Sequence, residues 1–252
     1  MDAPAVIVAA VFGLLIGSFL NVVAYRLPRG ESLVKPRSRC PGCESTLRAV
    51  DNVPLISWLA LRGRCHKCGT AISPRYPIVE GVTATAFVAV ALARGVDNDL
   101  FLELPFAAVL VAVAAIDLEH RIVPNRIVVP AAIFGLVVAA FVQRGQLPEL
   151  LIAGAAAFTA LLAAALAYPA GMGMGDVKLA GIMGLYLGAA VAPALLAAFA
   201  AGAGVGGAIL ARDGVSARKR ALPFAPFLAL GGLVGLLAGP ELVHLYQSRF
   251  LG

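Results

Sequence analysis

Apolar stretches of about 20 residues, the length that crosses a hydrocarbon core, recur along most of this 252-residue chain. Hydrophobic residues make up 60% of it and charged residues 13%, roughly half the charged share of a soluble domain, and the mean hydropathy is +0.90. The fold class this implies is an all-α polytopic membrane protein. Eight hydrophobic segments are expected, near Ala5–Ala24, Ile78–Ala93, Leu102–Ile116, Ile127–Val142, Leu150–Tyr168, Val177–Ala190, Ala192–Leu210 and Leu222–Leu242. The first lacks a basic stretch ahead of it and is followed at once by Arg26, Arg29, Lys35, Arg37 and Arg39, so it reads as a retained helix rather than a cleaved signal.

Segments six and seven share one apolar run, broken only around Gly188 and Pro193, and charge decides how to divide it. Lys and Arg are retained on the cytoplasmic side of a membrane protein. With eight spans and both termini outside, the inner connections are Arg26–Pro77, Asp117–Arg126, Pro169–Asp176 with Lys178, and Ala211–Ala221. They hold all but Arg94, Arg144 and Arg249 of the 20 basic residues. A single helix there would move Arg212, Arg218, Lys219 and Arg220 outside and weaken the bias. The net charge of +6 is thereby explained by topology, and no nucleic-acid partner is expected. The expected organisation is a first membrane helix over 1–26, a cytoplasmic module over 27–77 and a membrane domain over 78–252. Gly13/Gly17, Gly184/Gly188, Gly202/Gly206 and Gly231/Gly235 have the spacing that lets helix backbones approach closely in lipid.

The module holds every cysteine. Cys40-Pro-Gly-Cys43 and Cys65-His-Lys-Cys68 form two C-x2-C knuckles, each offering two sulfurs from one tight turn, a pattern that closes a tetrahedral zinc site. Gly42 and Gly69 are expected to supply the backbone freedom these turns need. Two disulfides are the alternative, and they fit poorly with a reducing compartment. Four thiolates leave zinc no open position, so the metal would stiffen the loop. His66, inside the second knuckle, is either a surface residue or a substitute ligand. The stretch Asp51–Leu59, with the only Trp of the chain, is either the small core of this module or a strip on the membrane surface.

Asp117 follows the apolar run Phe106–Ile116, and Asp176 closes Gly171-Met-Gly173-Met-Gly175-Asp176. Taken singly, each is better explained as a helix-end carboxylate solvated by headgroups. Together they differ: both fall at the cytoplasmic boundary, where an ionisable group is costly and marks function. Glycines beside Asp176 would let a substrate strand lie close. A close carboxylate pair shares one proton, the arrangement that activates water at a peptide bond. Lys178 either favours the ionised form of a neighbour or snorkels to the surface.

In these stretches the sequence resembles the type IV prepilin peptidases. The resemblance lies in Gly17-Ser-Phe-Leu-Asn-Val-Val-Ala-Tyr-Arg26, the tetracysteine loop, Ile72-Ser-Pro-Arg75-Tyr-Pro-Ile-Val-Glu80-Gly81, Ile116-Asp117 through Pro124-Asn125, Gly173-Met-Gly175-Asp176-Val-Lys178, and Leu222-Pro-Phe-Ala-Pro-Phe. They occur in the family's order. The resemblance implies an enzyme of the bacterial inner membrane, serving pilus or type II secretion systems. It would cut a basic leader after glycine from prepilins and pseudopilins whose mature chains begin with a hydrophobic helix. It aligns the catalytic pair with Asp117 and Asp176, and the zinc ligands with Cys40, Cys43, Cys65 and Cys68. It also implies N-methylation of the new terminus with S-adenosylmethionine, to which Glu80 would contribute or, alternatively, serve only as a helix-start carboxylate. Peptidase activity alone is a second reading. A scaffold or transporter is a third, disfavoured because neither midplane polar residues nor internal repeats are visible.

Overall fold

The structure, a computed structural model, describes residues 3–95, 97, 99–169, 171–214 and 222–250. Arg218, Lys219 and Arg220 of the expected inner loop lie outside these. Among the described residues there are nine α-helices and no strand: α1 (Ala3–Arg26), α2 (Ile56–Ala60), α3 (Arg75–Arg94), α4 (Leu100–His120), α5 (Asn125–Val142), α6 (Leu147–Ala167), α7 (Met174–Leu187), α8 (Val191–Asp213) and α9 (Ala225–Phe250). The chain forms two units, Met1–Val96 and Asp97–Gly252.

Seven stretches are long and apolar enough to cross a membrane, and one of them, Met174–Asp213, has 40 residues. A straight helix of that length would reach about 60 Å, twice the hydrocarbon core. The structure breaks it at a 3-10 turn over Gly188–Ala190, where Gly188 has φ 55°. On one side of the break α7 packs on α6; on the other, α8 packs on α9. The division falls where the sequence placed it, and eight long helices result.

In the first unit, α1 and α3 lie against each other along most of their length. Their contact depends on missing side chains: a Cβ on Gly13 would lie 2.6 Å from the Ala84 Cα, and one on Gly17 2.7 Å from the Glu80 Cα. Asn21, buried on the same seam, donates from Nδ2 to the Tyr76 carbonyl at 3.0 Å and so ties the end of α1 to the start of α3. Beyond the seam the buried Arg26 guanidinium donates to the carbonyls of Ser32 (2.9 Å) and Pro36 (2.7 Å), gathering the loop that enters the cysteine module.

In the second unit, α4 is central. It packs on α9 and touches α5 and α7, and Phe106, Leu110, Val113 and Ile116 are fully buried. Gly184 and Gly231 fit tightly against the backbones of α6 and α8, at Ala153 and Ala194 respectively. A Cβ on Gly235 would lie 2.9 Å from the Ala194 Cβ. The Gly202/Gly206 pair does not do this: Gly202 meets aromatic rings at ordinary distances and Gly206 only Leu222 at 3.9 Å. Two small residues four apart permit a close approach without requiring it.

Candidate active site and metal centre

Asp117 was expected to end its span, but α4 continues for another turn. Leu118, Glu119 and His120 are all compatible with helix, and the stop comes at Arg121, which takes the left-handed conformation (φ 54°) before Pro124. Asp117 therefore sits inside the helix, 5% exposed, and its Oδ2 accepts a hydrogen bond from the Ala225 N–H at 3.1 Å. Ala225 is the first residue of α9, so one of that helix's otherwise orphaned donors is satisfied by a buried carboxylate.

Asp176 reaches the site from the opposite kind of position. It is the third residue of α7, and its Oδ2 accepts the N–H of Gly173, capping its own helix at 3.3 Å. The charge of Asp117 acts on Asp176, so the two carboxylates, far apart in sequence, lie within electrostatic reach of each other. The two motif glycines differ in what surrounds them. A Cβ on Gly175 would lie 2.7 Å from the Val123 Cβ in the α4–α5 connection, so this glycine lets α7 fit against the chain's own backbone turn. Gly173 has an extended conformation open to any residue (φ −82°, ψ 150°), and its nearest neighbour is the Asp176 carboxylate. Of the two, only Gly173 has room for a side chain beside the carboxylate.

Lys178 points not at a carboxylate but at Asn125, donating from Nζ to Oδ1 at 3.0 Å. The role of Asn125 was missed in the sequence, although Pro124-Asn125 stood out there as a motif. The Ala225 N–H was missed as well, and a backbone donor leaves no residue-type signal.

The other candidate residues belong to the first unit. The four cysteine sulfurs lie within 4.8 Å of one another, and Cys40 Sγ is 3.6 Å from Cys68 Sγ. Sulfurs at the corners of a zinc tetrahedron with bonds of about 2.3 Å stand about 3.8 Å apart, so the set fits a tetrahedral dication. None of the four is in a disulfide. The two knuckles repeat one geometry. The Cys40 and Cys65 carbonyls accept the N–H of Glu44 and Gly69, both at 2.9 Å, and Arg39–Thr46 and Arg64–Ala71 pair as isolated bridges. The left-handed position of each turn is the residue after its second cysteine, Gly69 in one and Glu44 (φ 53°) in the other. Gly42 thus has a different role from the one expected: a Cβ there would lie 2.5 Å from Thr70 Oγ1, so it serves the packing of one knuckle on the other.

The Thr70 hydroxyl beside Cys68 pulls its thiol down to about 6, and the Ser45 hydroxyl lowers that of Cys43, favouring the thiolates that bind metal. At Cys40 the Gly42 N–H favours the thiolate, but burial and the neighbouring Cys65 and Cys68 sulfurs push it up to about 11. A bound dication removes that mutual opposition. His66 turns its Nδ1 to Asp51, 3.3 Å from Oδ2, and takes no part in the sulfur cluster. Glu80 is buried in α3, where its Oε2 accepts the Leu55 N–H at 2.8 Å.

Comparison with known proteins joins these two regions in one family. Residues 11–94 match the Bacterial Peptidase A24 N-terminal domain, and residues 104–208 match the Type IV leader peptidase family. The chain is 34% identical to the prepilin leader peptidase/N-methyltransferase of Bacillus subtilis (strain 168), over 96% of this chain and 98% of that one. It is 36% identical to the protein of that name from Aeromonas hydrophila (95% and 93% of the two chains) and 34% identical to that from Stutzerimonas stutzeri (96% and 93%). No solved structure matches the chain. The two matches fall one in each unit, and with relatives aligned over nearly its whole length the chain belongs to the type IV leader peptidase family.

Proposed function

We propose that the chain is a prepilin leader peptidase in which Asp117 and Asp176 are the catalytic pair. The observation that carries this reading is that α4 and α7, which pack together and on α9, each bring a carboxylate held by a helix-start N–H, Asp117 buried on that of Ala225 and Asp176 on that of Gly173. Such a pair titrates jointly and holds one proton between its members. The ionised member takes a proton from water as the water oxygen bonds to the scissile carbonyl carbon, while the protonated member gives its proton to the carbonyl oxygen. As the C–N bond breaks, the departing nitrogen receives a proton and leaves as the amine of the mature chain. The Ala225 N–H fixes Asp117 in this scheme. Gly173, Gly175 and Lys178, with Asn125, support Asp176.

The substrates are prepilins and pseudopilins with a basic leader cut after glycine and a hydrophobic helix beyond it. The distribution of Lys and Arg supports placing the cysteine module and both aspartates on the cytoplasmic face of a bacterial inner membrane, with both termini outside. The functional division is a first helix over 1–26, the module over 27–77 and the peptidase domain over 78–252. Cys40, Cys43, Cys65 and Cys68 hold a structural zinc ion, which has no position left for substrate.

The relatives' names supply the second activity. The amine released by cleavage is the acceptor, S-adenosylmethionine supplies its methyl group when bound, and Glu80 contributes by holding the Leu55 segment of the module against α3. Co-expression with a prepilin, read by mass spectrometry of the mature N-terminus, tests both steps. The native chain should give a cut and methylated terminus, and Asp117→Asn and Asp176→Asn an uncut leader. Cutting without methylation would reduce the function to that of a peptidase.

A further inference from the structure

Between the two knuckles the chain presents Val50, Val53, Ile56 and Leu59, spaced three residues apart and 63%, 40%, 67% and 66% exposed. Val50 lies on a 3-10 turn (Ala49–Asn52) and Val53 just after it, and Ile56 and Leu59 lie on α2, where a spacing of three keeps that pair on one side. Trp58, in the same stretch, is tied to the module instead. Its Nε1 donates to the Ile72 carbonyl at 3.1 Å, and its ring covers Gly63, where a Cβ would lie 2.8 Å from Cζ2. Of the two alternatives read from the sequence, Trp58 realises the first. Trp58 belongs to the small core, and the aliphatic strip is left outside it. A contiguous exposed strip of this kind marks a contact surface.

How the strip is held identifies what it contacts. The Leu55 N–H is bonded to the buried Glu80 carboxylate, and Leu55 has φ 58° and ψ −51°, a region that a branched side chain avoids unless its surroundings impose it. Glu80 lies in the second turn of α3, about 7 Å along the axis from its start. The start of α2 is thus fixed at the level of a membrane helix and not at the tip of a loop in water. On α3, Tyr76, one turn before Glu80 on the same side, is exposed too, so the strip is tethered beside a membrane-crossing helix. The surrounding charge is predominantly basic, with Asp51 paired to Arg48. Arg48, Arg62, Arg64 and Lys67 are exposed near the strip, and residues 27–77 carry nine Lys and Arg against three acidic residues. Aliphatic side chains flanked by long basic ones are the composition of an interfacial segment, whose cationic heads reach anionic headgroups while their stems and neighbours enter the acyl boundary.

We propose that Val50, Val53, Ile56 and Leu59 insert into the headgroup–acyl boundary of an anionic bilayer, so that the cysteine module lies on the membrane surface. Segments of this kind enter by roughly 5–10 Å. The tether through Glu80 sets that depth, and the module's basic residues set its preference for anionic lipid.

Trp58 is the single tryptophan of the chain and serves as a depth probe beside the strip. The full-length protein is reconstituted in vesicles of phosphatidylcholine and phosphatidylglycerol, with bromine on the phosphatidylcholine chains at positions 6,7 or 11,12. The expected result is quenching of Trp58 at least twofold stronger by the shallow bromines than by the deep ones, with weak quenching by aqueous acrylamide. Changing Ile56 and Leu59 together to Ser should lower the bromolipid quenching and raise that by acrylamide, with metal content unchanged. Absence of bromolipid quenching in the native chain overturns the proposal. Strong acrylamide quenching would then leave the strip in water, and shielding from both quenchers would mean that a protein surface covers it. Unaltered bromolipid quenching in the Ser variant would equally overturn it. The native measurement decides even if that variant fails to fold.

Discussion

The cysteine cluster and the aspartate pair are assembled in opposite ways. Each half of the cluster is made within one turn, by backbone bonds that repeat between Cys40–Glu44 and Cys65–Gly69. The pair exists only because α4, α7 and α9 pack together. Asp117 is held by a donor from α9 and Asp176 by one from its own helix start. A centre written in local turns should yield to removal of its metal while the helices stand. One written in helix packing should yield to small changes of volume far from its carboxylates.

The largest effect that could break this contrast comes from Cys65→Ser or from chelation. Loss of a structural metal unfolds a small domain that depends on it. Amide exchange should therefore rise by orders of magnitude over residues 38–72 and stay within about threefold of native over α4 and α9, where the packing is unchanged. Equal loosening of both regions would show that the two centres are not built separately.

Next in size is Gly175→Ala, which must displace Val123 and should cost about 1–3 kcal/mol of stability with about 10- to 100-fold slower leader cleavage. Gly173→Ala, in an open and extended position, should stay within about twofold of native. Measured side by side, equal losses would mean that the glycines act through a ligand and not through packing. A smaller loss is expected for Asn125→Ala, which leaves Lys178 without its acceptor at the edge of the site. Losing one charge-assisted hydrogen bond that is partly open to water should slow cleavage about 3- to 10-fold, with Asn125→Asp restoring part of it.

The contrast also accounts for what could be read from sequence. Eight helices were visible because each carries a continuous apolar run, and the candidate metal site because its four cysteines fall in two four-residue motifs. Even the Gly188 break was visible, since dividing the run there keeps the Arg212–Arg220 cluster on the inner side. The supports of the aspartates were not. The Ala225 N–H is a backbone donor, Val123 is an ordinary aliphatic residue until α7 packs against it, and the bond from Leu55 to Glu80 joins positions with no local pattern between them. The same limit explains Gly42, assigned to a turn by its place in the knuckle but required by Thr70 of the other one.

The central claim is that Asp117 and Asp176 work as one catalytic unit, and a double-mutant cycle on leader cleavage tests it most directly. Asp117→Asn and Asp176→Asn should each slow cleavage about 10³-fold or more, and the double variant should be no slower than the poorer single one, as for groups that act jointly. Near-native cleavage by either single variant, or losses that multiply in the double, would contradict it.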